Sequence, residues 1–160
     1  MIIVEHGKGT DSAANSYTDL ESLRFHARYF RFPIPSGESE QIEYLMRAVA
    51  AMDGMRWKGE RTLSVQPLAW PRSGIVFNGA WVDDRLVPYG IRHGQVMLAI
   101  EMYADDQGLE MVEPKYAHDK GRLIPLSRSS AEYRLDPPLW VSSRTQFADY
   151  LVMRGLSIVR

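Results

Sequence analysis

Apolar residues recur at helical spacing in three stretches of the chain. Leu20, Leu23, Ala27 and Phe30 share one face, which predicts a helix over about 19–31. Thr18 is placed to cap it, with Glu21 three residues on to complete a capping box. Pro33 and Pro35 stop it, because proline lacks the backbone donor and pushes its predecessor away from helical geometry. A second helix is predicted over about 39–52, where Ile42, Leu45, Met46, Val49 and Met52 form a clean amphipathic face and Gly54 is the stop. A third opens near Pro88, a residue tolerated in a first turn, and runs to about Asp105. Ile91, Leu98 and Met102 line one side of it, and Val96, Ala99, Ile100 and Tyr103 widen the apolar surface almost to a full circle. That pattern belongs to a central helix covered on several sides.

Between the second and third helices the periodicity dissolves. Glycines and prolines alternate with Trp57, Trp70, Phe77 and Trp81, which predicts a long connection held in order by buried aromatics. Asn78-Gly79, flanked by Ile75-Val76-Phe77 and Ala80-Trp81-Val82, predicts a small hairpin. Ile2 to Val4 reads as a short strand, followed by a glycine-rich loop over 7–12. Residues 111–135 look extended: 113–116 and 122–126 flank a turn at 119–121, and prolines restrict both to a sheet edge. After Pro137-Pro138 a short helix is expected, with Ser143 and Gln146 as its capping pair and Phe147, Tyr150 and Leu151 as its apolar face. Gly155 ends it, and 156–160 form an apolar tail. The fold class is therefore mainly α, a small bundle of about four helices with a long ordered loop and a short β-hairpin or extended arm. A length of 160 residues suits one domain, 1–160, in which 137–160 is a candidate docking arm.

Composition narrows the function classes. With 45% apolar and 24% charged residues the chain can bury a core without staples. It has no cysteine, which removes disulfides, thiolate metal sites and cysteine nucleophiles. The 19 basic and 20 acidic side chains give a formal net charge of -1, so nucleic acid or an anionic membrane would have to be attracted locally. The longest unbroken apolar run, 96–100, falls far short of the roughly 20 residues of a spanning helix. A soluble intracellular protein with no membrane partner is expected.

The chain offers no catalytic constellation, and it reads as a non-enzyme without metal or cofactor. His6, His26, His93 and His118 lie in four different elements, none paired at ligand spacing. Gly7-Lys8-Gly9-Thr10 lacks the length of a phosphate loop, and no serine sits in a nucleophile elbow. Three charged or aromatic groupings stand out instead. Arg56-Trp57-Lys58-Gly59 and Gln66-Pro67-Leu68-Ala69-Trp70-Pro71-Arg72 interleave cations with tryptophan, as a single-strand site requires. The same residues serve equally as anchors that fix the long loop to the helices, and the near-zero charge favours that role for Trp57, Trp70 and Arg72. Arg24, Arg28 and Arg31 form a stripe on the first helix. Glu101, Asp105, Asp106, Glu110 and Glu113 gather acid at the end of the third, against its macrodipole.

Ala14-Asn15-Ser16-Tyr17, Tyr29-Phe30, Arg56-Trp57-Lys58-Gly59, Arg61-Thr62, the 66–72 segment and Val87-Pro88 together carry a family resemblance over about residues 2–104. The chain resembles the small head–tail connector (adaptor) proteins of tailed bacteriophages, a family often described as DnaT-like single-stranded-DNA-binding proteins. The resemblance implies a structural virion protein of the neck, made in the bacterial host cytoplasm. It would assemble as a ring, typically a dodecamer, under the portal and extend the DNA channel. Its implied partners are the portal protein, neighbouring copies, a head-closure or tail-completion protein, and double-stranded DNA passing without sequence specificity. On that view Phe147, Tyr150, Leu151 and Ile158 dock on the portal, while Arg24, Arg28 and Arg31 meet Glu101, Asp105 and Asp106 of the next copy. The alternative is a single-stranded-DNA-binding protein of phage DNA processing, acting through the 56–72 cluster.

Overall fold

The computed structural model describes residues 1–113, 116–119, 122–125 and 139–153. Four α-helices carry the fold: α1 (Leu20–Phe30), α2 (Glu38–Asp53), α3 (Tyr89–Asp106) and α4 (Ser143–Phe147), the last continued by a 3-10 turn at Ala148–Tyr150. Among the described residues the strands are short and pair locally. β1 (Glu60–Arg61) pairs with β2 (Arg72–Ser73), β3 (Val76–Phe77) with β4 (Ala80–Trp81), and β5 (Tyr116–Asp119) with β6 (Arg122–Pro125), all antiparallel. The expected mainly α class with a short hairpin is the observed one. Asn78 and Gly79 both take positive φ in the β3–β4 turn, the conformation that selects Asn-Gly there. The expected strand at 2–4 is reduced to one bridge, Val4 to Ser16.

Helix starts differ from expectation by one residue. The cap of α1 is Asp19, whose carboxylate accepts the Ser22 amide at 2.8 Å, while Thr18 is buried in the preceding turn. This bond holds the Asp19 carboxyl below the usual range. The cap of α4 is Ser142, accepting from the Thr145 amide, and Ser143 turns inward instead. Both shifts have one cause: adjacent polar residues compete for the cap, and burial of one decides for the other.

α3 is the centre. Nine of its residues are buried, Ile91 and His93 to Met97 among them, because α1, α2 and α4 all pack on it. Leu23, Leu45, Ala48, Val96, Met97, Ile100 and Trp140 make one core. Trp57, Trp70, Ile75, Ile91, Phe147 and Tyr150 make the other. Gln95 joins the layers: its side-chain oxygen accepts the Tyr17 amide at 2.8 Å, and its nitrogen donates to Ser16 Oγ and to the Leu45 carbonyl. The start of α4 is clamped by acid. Glu101 accepts from the amide and hydroxyl of Ser143, and Glu113 accepts from those of Ser142. Burial raises the Glu101 carboxyl even so. The remaining C-terminal expectations, namely 120–121, 126–138 and the tail with Ile158, lie outside the described residues.

Candidate nucleic-acid interface

The two tryptophans of the tryptophan–arginine cluster are internal. Trp70 is fully buried, and Trp57 is 6% exposed with its indole N–H donated to the Met52 carbonyl at 2.8 Å. Their rings meet edge to face at 5.8 Å, and Phe147 and Tyr150 continue the contact at 5.2 and 5.4 Å. Arg72 donates from three nitrogens to the carbonyls of Lys58, Gly59 and Ala69. Neither tryptophan ring has a face free to stack on a base. The two tryptophans and Arg72 hold the long connection against the helices, while Arg56 and Arg61 are exposed.

The residues read as a docking arm are placed similarly. Phe147 and Tyr150 are 1% and 6% exposed, and Leu151 is half-buried beside Trp57, to which its backbone is bridged. The Tyr150 carbonyl accepts the Lys58 amide, and the Val152 amide donates to Arg56. These side chains complete the chain's own core, and a partner reaching them would have to displace them from it.

The charged stripes are partly engaged. Arg24 donates to Gln41 and to Glu38 at 2.8 Å. Asp106 accepts from Tyr44 and Arg47, which hold its carboxyl below the usual range. Glu101 faces α4 as described. Arg28, Arg31 and Asp105 are exposed, and Arg31 closes α1 in the left-handed conformation.

A different aromatic surface lies on α1. Leu23 and Ala27 point into the core, so Phe25 and Tyr29 fall on the opposite side of the helix. They are 54% and 52% exposed, and their rings stack at 5.8 Å and 11°. Arg24 and Arg28 flank them on the same outer surface. From Phe25 the rings continue across the surface of α1 onto α3: His26 lies edge-on at 5.5 Å, the buried His93 follows His26 at 4.3 Å, and the exposed Tyr89 stacks on His93 at 5.0 Å. Sequence reading passed over Phe25. The available signal was an i, i+4 aromatic pair standing among arginines on the polar side of an amphipathic helix.

His26, His93 and Tyr89 border a cavity of about 290 Å³ between the N-terminal segment, α1 and the start of α3. Three histidines from distant positions, His6, His26 and His93, line it. Among the described residues no group of His, Asp or Glu side chains is arranged to hold a metal. Burial, with His26 alongside, pushes His93 down to about 4.

Residues 1–121 match the family described as "Putative DnaT-like ssDNA binding protein". The chain belongs to that family. No curated protein and no solved structure matches it. The matched span takes in α1, the 56–72 connection and α3, and stops before α4.

Proposed function

We propose that the protein binds single-stranded DNA along the outer face of α1, with Phe25 and Tyr29 stacking on bases and Arg24 and Arg28 meeting phosphates. The carrying observation is the exposed, mutually stacked Phe25–Tyr29 pair beside cationic side chains. Aromatic faces serve any base sequence, and the arginines supply a salt-dependent attraction that the near-zero net charge withholds elsewhere. Family membership supports the same reading. The Arg24–Glu38 pair is exposed on both sides, so exchanging Glu38 for a phosphate costs little. The test is anisotropy of a labelled mixed-sequence oligonucleotide over a salt series. Phe25→Ala and Tyr29→Ala should each weaken binding by about 1–3 kcal/mol. Arg28→Ala should lower the salt slope by about one phosphate contact. A double Phe25→Ala/Tyr29→Ala variant with the affinity of the parent would sink the reading.

A second reading, the head–tail adaptor ring, has one observation in its favour. Exposed cations at Arg28 and Arg31 and exposed acids at Asp105 and Glu110 are two unlike surfaces, as a head-to-tail closed ring requires. It expects the purified chain to form closed rings that Arg28→Glu disperses. A monomer at all concentrations, with or without the portal, would count against it.

A further inference from the structure

The aromatic pair on α1 has a counterpart at the start of α3. Phe25, Arg28 and Tyr29 stand at i, i+3 and i+4, and Tyr89, Arg92 and His93 repeat that order of ring, arginine and ring. Residues at these spacings share one helix face, so each arginine stands beside its own ring pair. Both pairs are stacked, Phe25 on Tyr29 at 5.8 Å and Tyr89 on His93 at 5.0 Å. Tyr89 is 63% exposed, more than Phe25 or Tyr29, and the buried His93 backs only one of its faces. Arg28 and Arg92 are exposed, and neither joins an ion pair among the described residues.

His26 joins the two pairs. Its ring lies edge-on to Phe25 at 5.5 Å and to His93 at 4.3 Å, and its Nδ1 is held 2.6 Å from the Ser22 carbonyl. Ring-to-ring steps of 5.5, 4.3 and 5.0 Å put Phe25 and Tyr89 no more than about 15 Å apart. At about 3.4 Å per stacked nucleotide, a strand of about five nucleotides covers that distance. The acids set the path. Glu21, one turn before Phe25, closes that end of α1 to phosphate. Asp19 lines the cavity that His26 and Tyr89 border, and its carboxylate keeps phosphate out of it. Arg28 and Arg92 are left to meet phosphates on the outer surface.

We infer that Tyr89 and Arg92 form a second stacking station, and that one DNA strand runs from the outer face of α1 past His26 onto the start of α3. The inference rests on the single-strand reading of α1 and extends it with the same occupant. The rings accept any base, and each arginine meets a phosphate. Two stations need a strand long enough to reach both, so the protein selects length and not sequence.

The test measures the anisotropy of a labelled oligonucleotide of about ten nucleotides with the full chain. Tyr89→Ala should weaken binding about tenfold, the weight of one stacked base. Tyr89→Phe should bind as the parent does, because stacking needs the ring and not the hydroxyl. Arg92→Ala should lower the salt slope by about one phosphate contact. Parent affinity in Tyr89→Ala would overturn the second station, as would an equal loss in Tyr89→Phe. If Tyr89→Ala does not fold, ultraviolet crosslinking of the parent to an iodouracil-substituted strand decides. An adduct at Tyr89 supports the station, and adducts at Phe25 and Tyr29 alone overturn it. The α1 variants separate the two failures. Weakened binding in Phe25→Ala with an unaffected Tyr89→Ala ends the strand on α1 and leaves that reading standing. Parent affinity in Phe25→Ala/Tyr29→Ala removes the α1 reading, and this extension with it.

Discussion

Gly94 of α3 lies against the Phe147 ring of the C-terminal segment, and its replacement tests how that segment is held. A Cβ at Gly94 would overlap the Phe147 ring, meeting Cδ1, Cε1 and Cζ well inside contact distance. Phe147 is 1% exposed and packs edge-on against Trp57 at 5.2 Å, so the ring has no room to retreat. Two opposing effects set the magnitude of Gly94→Ala. Alanine in a helix interior gains about 1 kcal/mol over glycine. Overpacking in a dense core costs about 1–3 kcal/mol, occasionally more. The expected outcome is a net loss of up to about 2 kcal/mol. Phe147→Ala alone should cost about 3–5 kcal/mol through the lost burial and the cavity left behind. With the ring gone the alanine methyl has space, and only the helix propensity remains. Gly94→Ala should then stabilise the Phe147→Ala protein by about 1 kcal/mol. Urea unfolding of the parent, the two single variants and the double variant, followed by far-UV circular dichroism, measures the cycle. The change of sign is the decisive feature. Equal losses from Gly94→Ala in both backgrounds would show that Phe147 does not occupy this position, and that the C-terminal segment is free to dock elsewhere.

Trp70→Ala should lower stability by about 3–5 kcal/mol, since the ring is fully buried between Trp57 and Tyr150; an unchanged urea midpoint would place that ring outside the core. The His93 effect is visible in the pH dependence of stability. Its folded value is about 4 against 6.5 when unfolded, so between those values the unfolded chain binds the proton and the folded chain does not. Its contribution is complete above about pH 6.5 and is lost as pH falls toward 4, by at most about 3 kcal/mol and less where water in the cavity screens the charge. Glu101, raised by burial, acts in the opposite direction, so the measurement is the difference between the parent and His93→Gln from pH 7 to 4. Parallel stability curves would refute this role for His93.

The helical skeleton was legible in the sequence because apolar spacing records which side of a helix is covered. Ile42 to Met52 and the nearly encircled 91–103 stretch led directly to α2 and to a central α3. Asn78-Gly79 likewise carried its hairpin, since the turn selects residues that accept positive φ. Helix caps were uncertain by one residue, as at Thr18 and Asp19, where two competent neighbours differ only in which one the core buries.

Function was less legible, for a physical reason. Composition names the residue types that a site needs, but exposure decides which of them are available. Trp57 and Trp70, beside cations, have the chemistry of a stacking platform, and tertiary packing turns both rings inward. Phe25 and Tyr29 have the same chemistry, and the rotation of α1 on α3 leaves them outside. Glu5, His26 and His93 are separated by long stretches of chain, so no local spacing signals their meeting around one cavity. Local pattern by itself determined the helices and their apolar faces, while only the packing of α1 and the N-terminal segment on α3 decided which aromatic and polar groups stay exposed and which line the cavity.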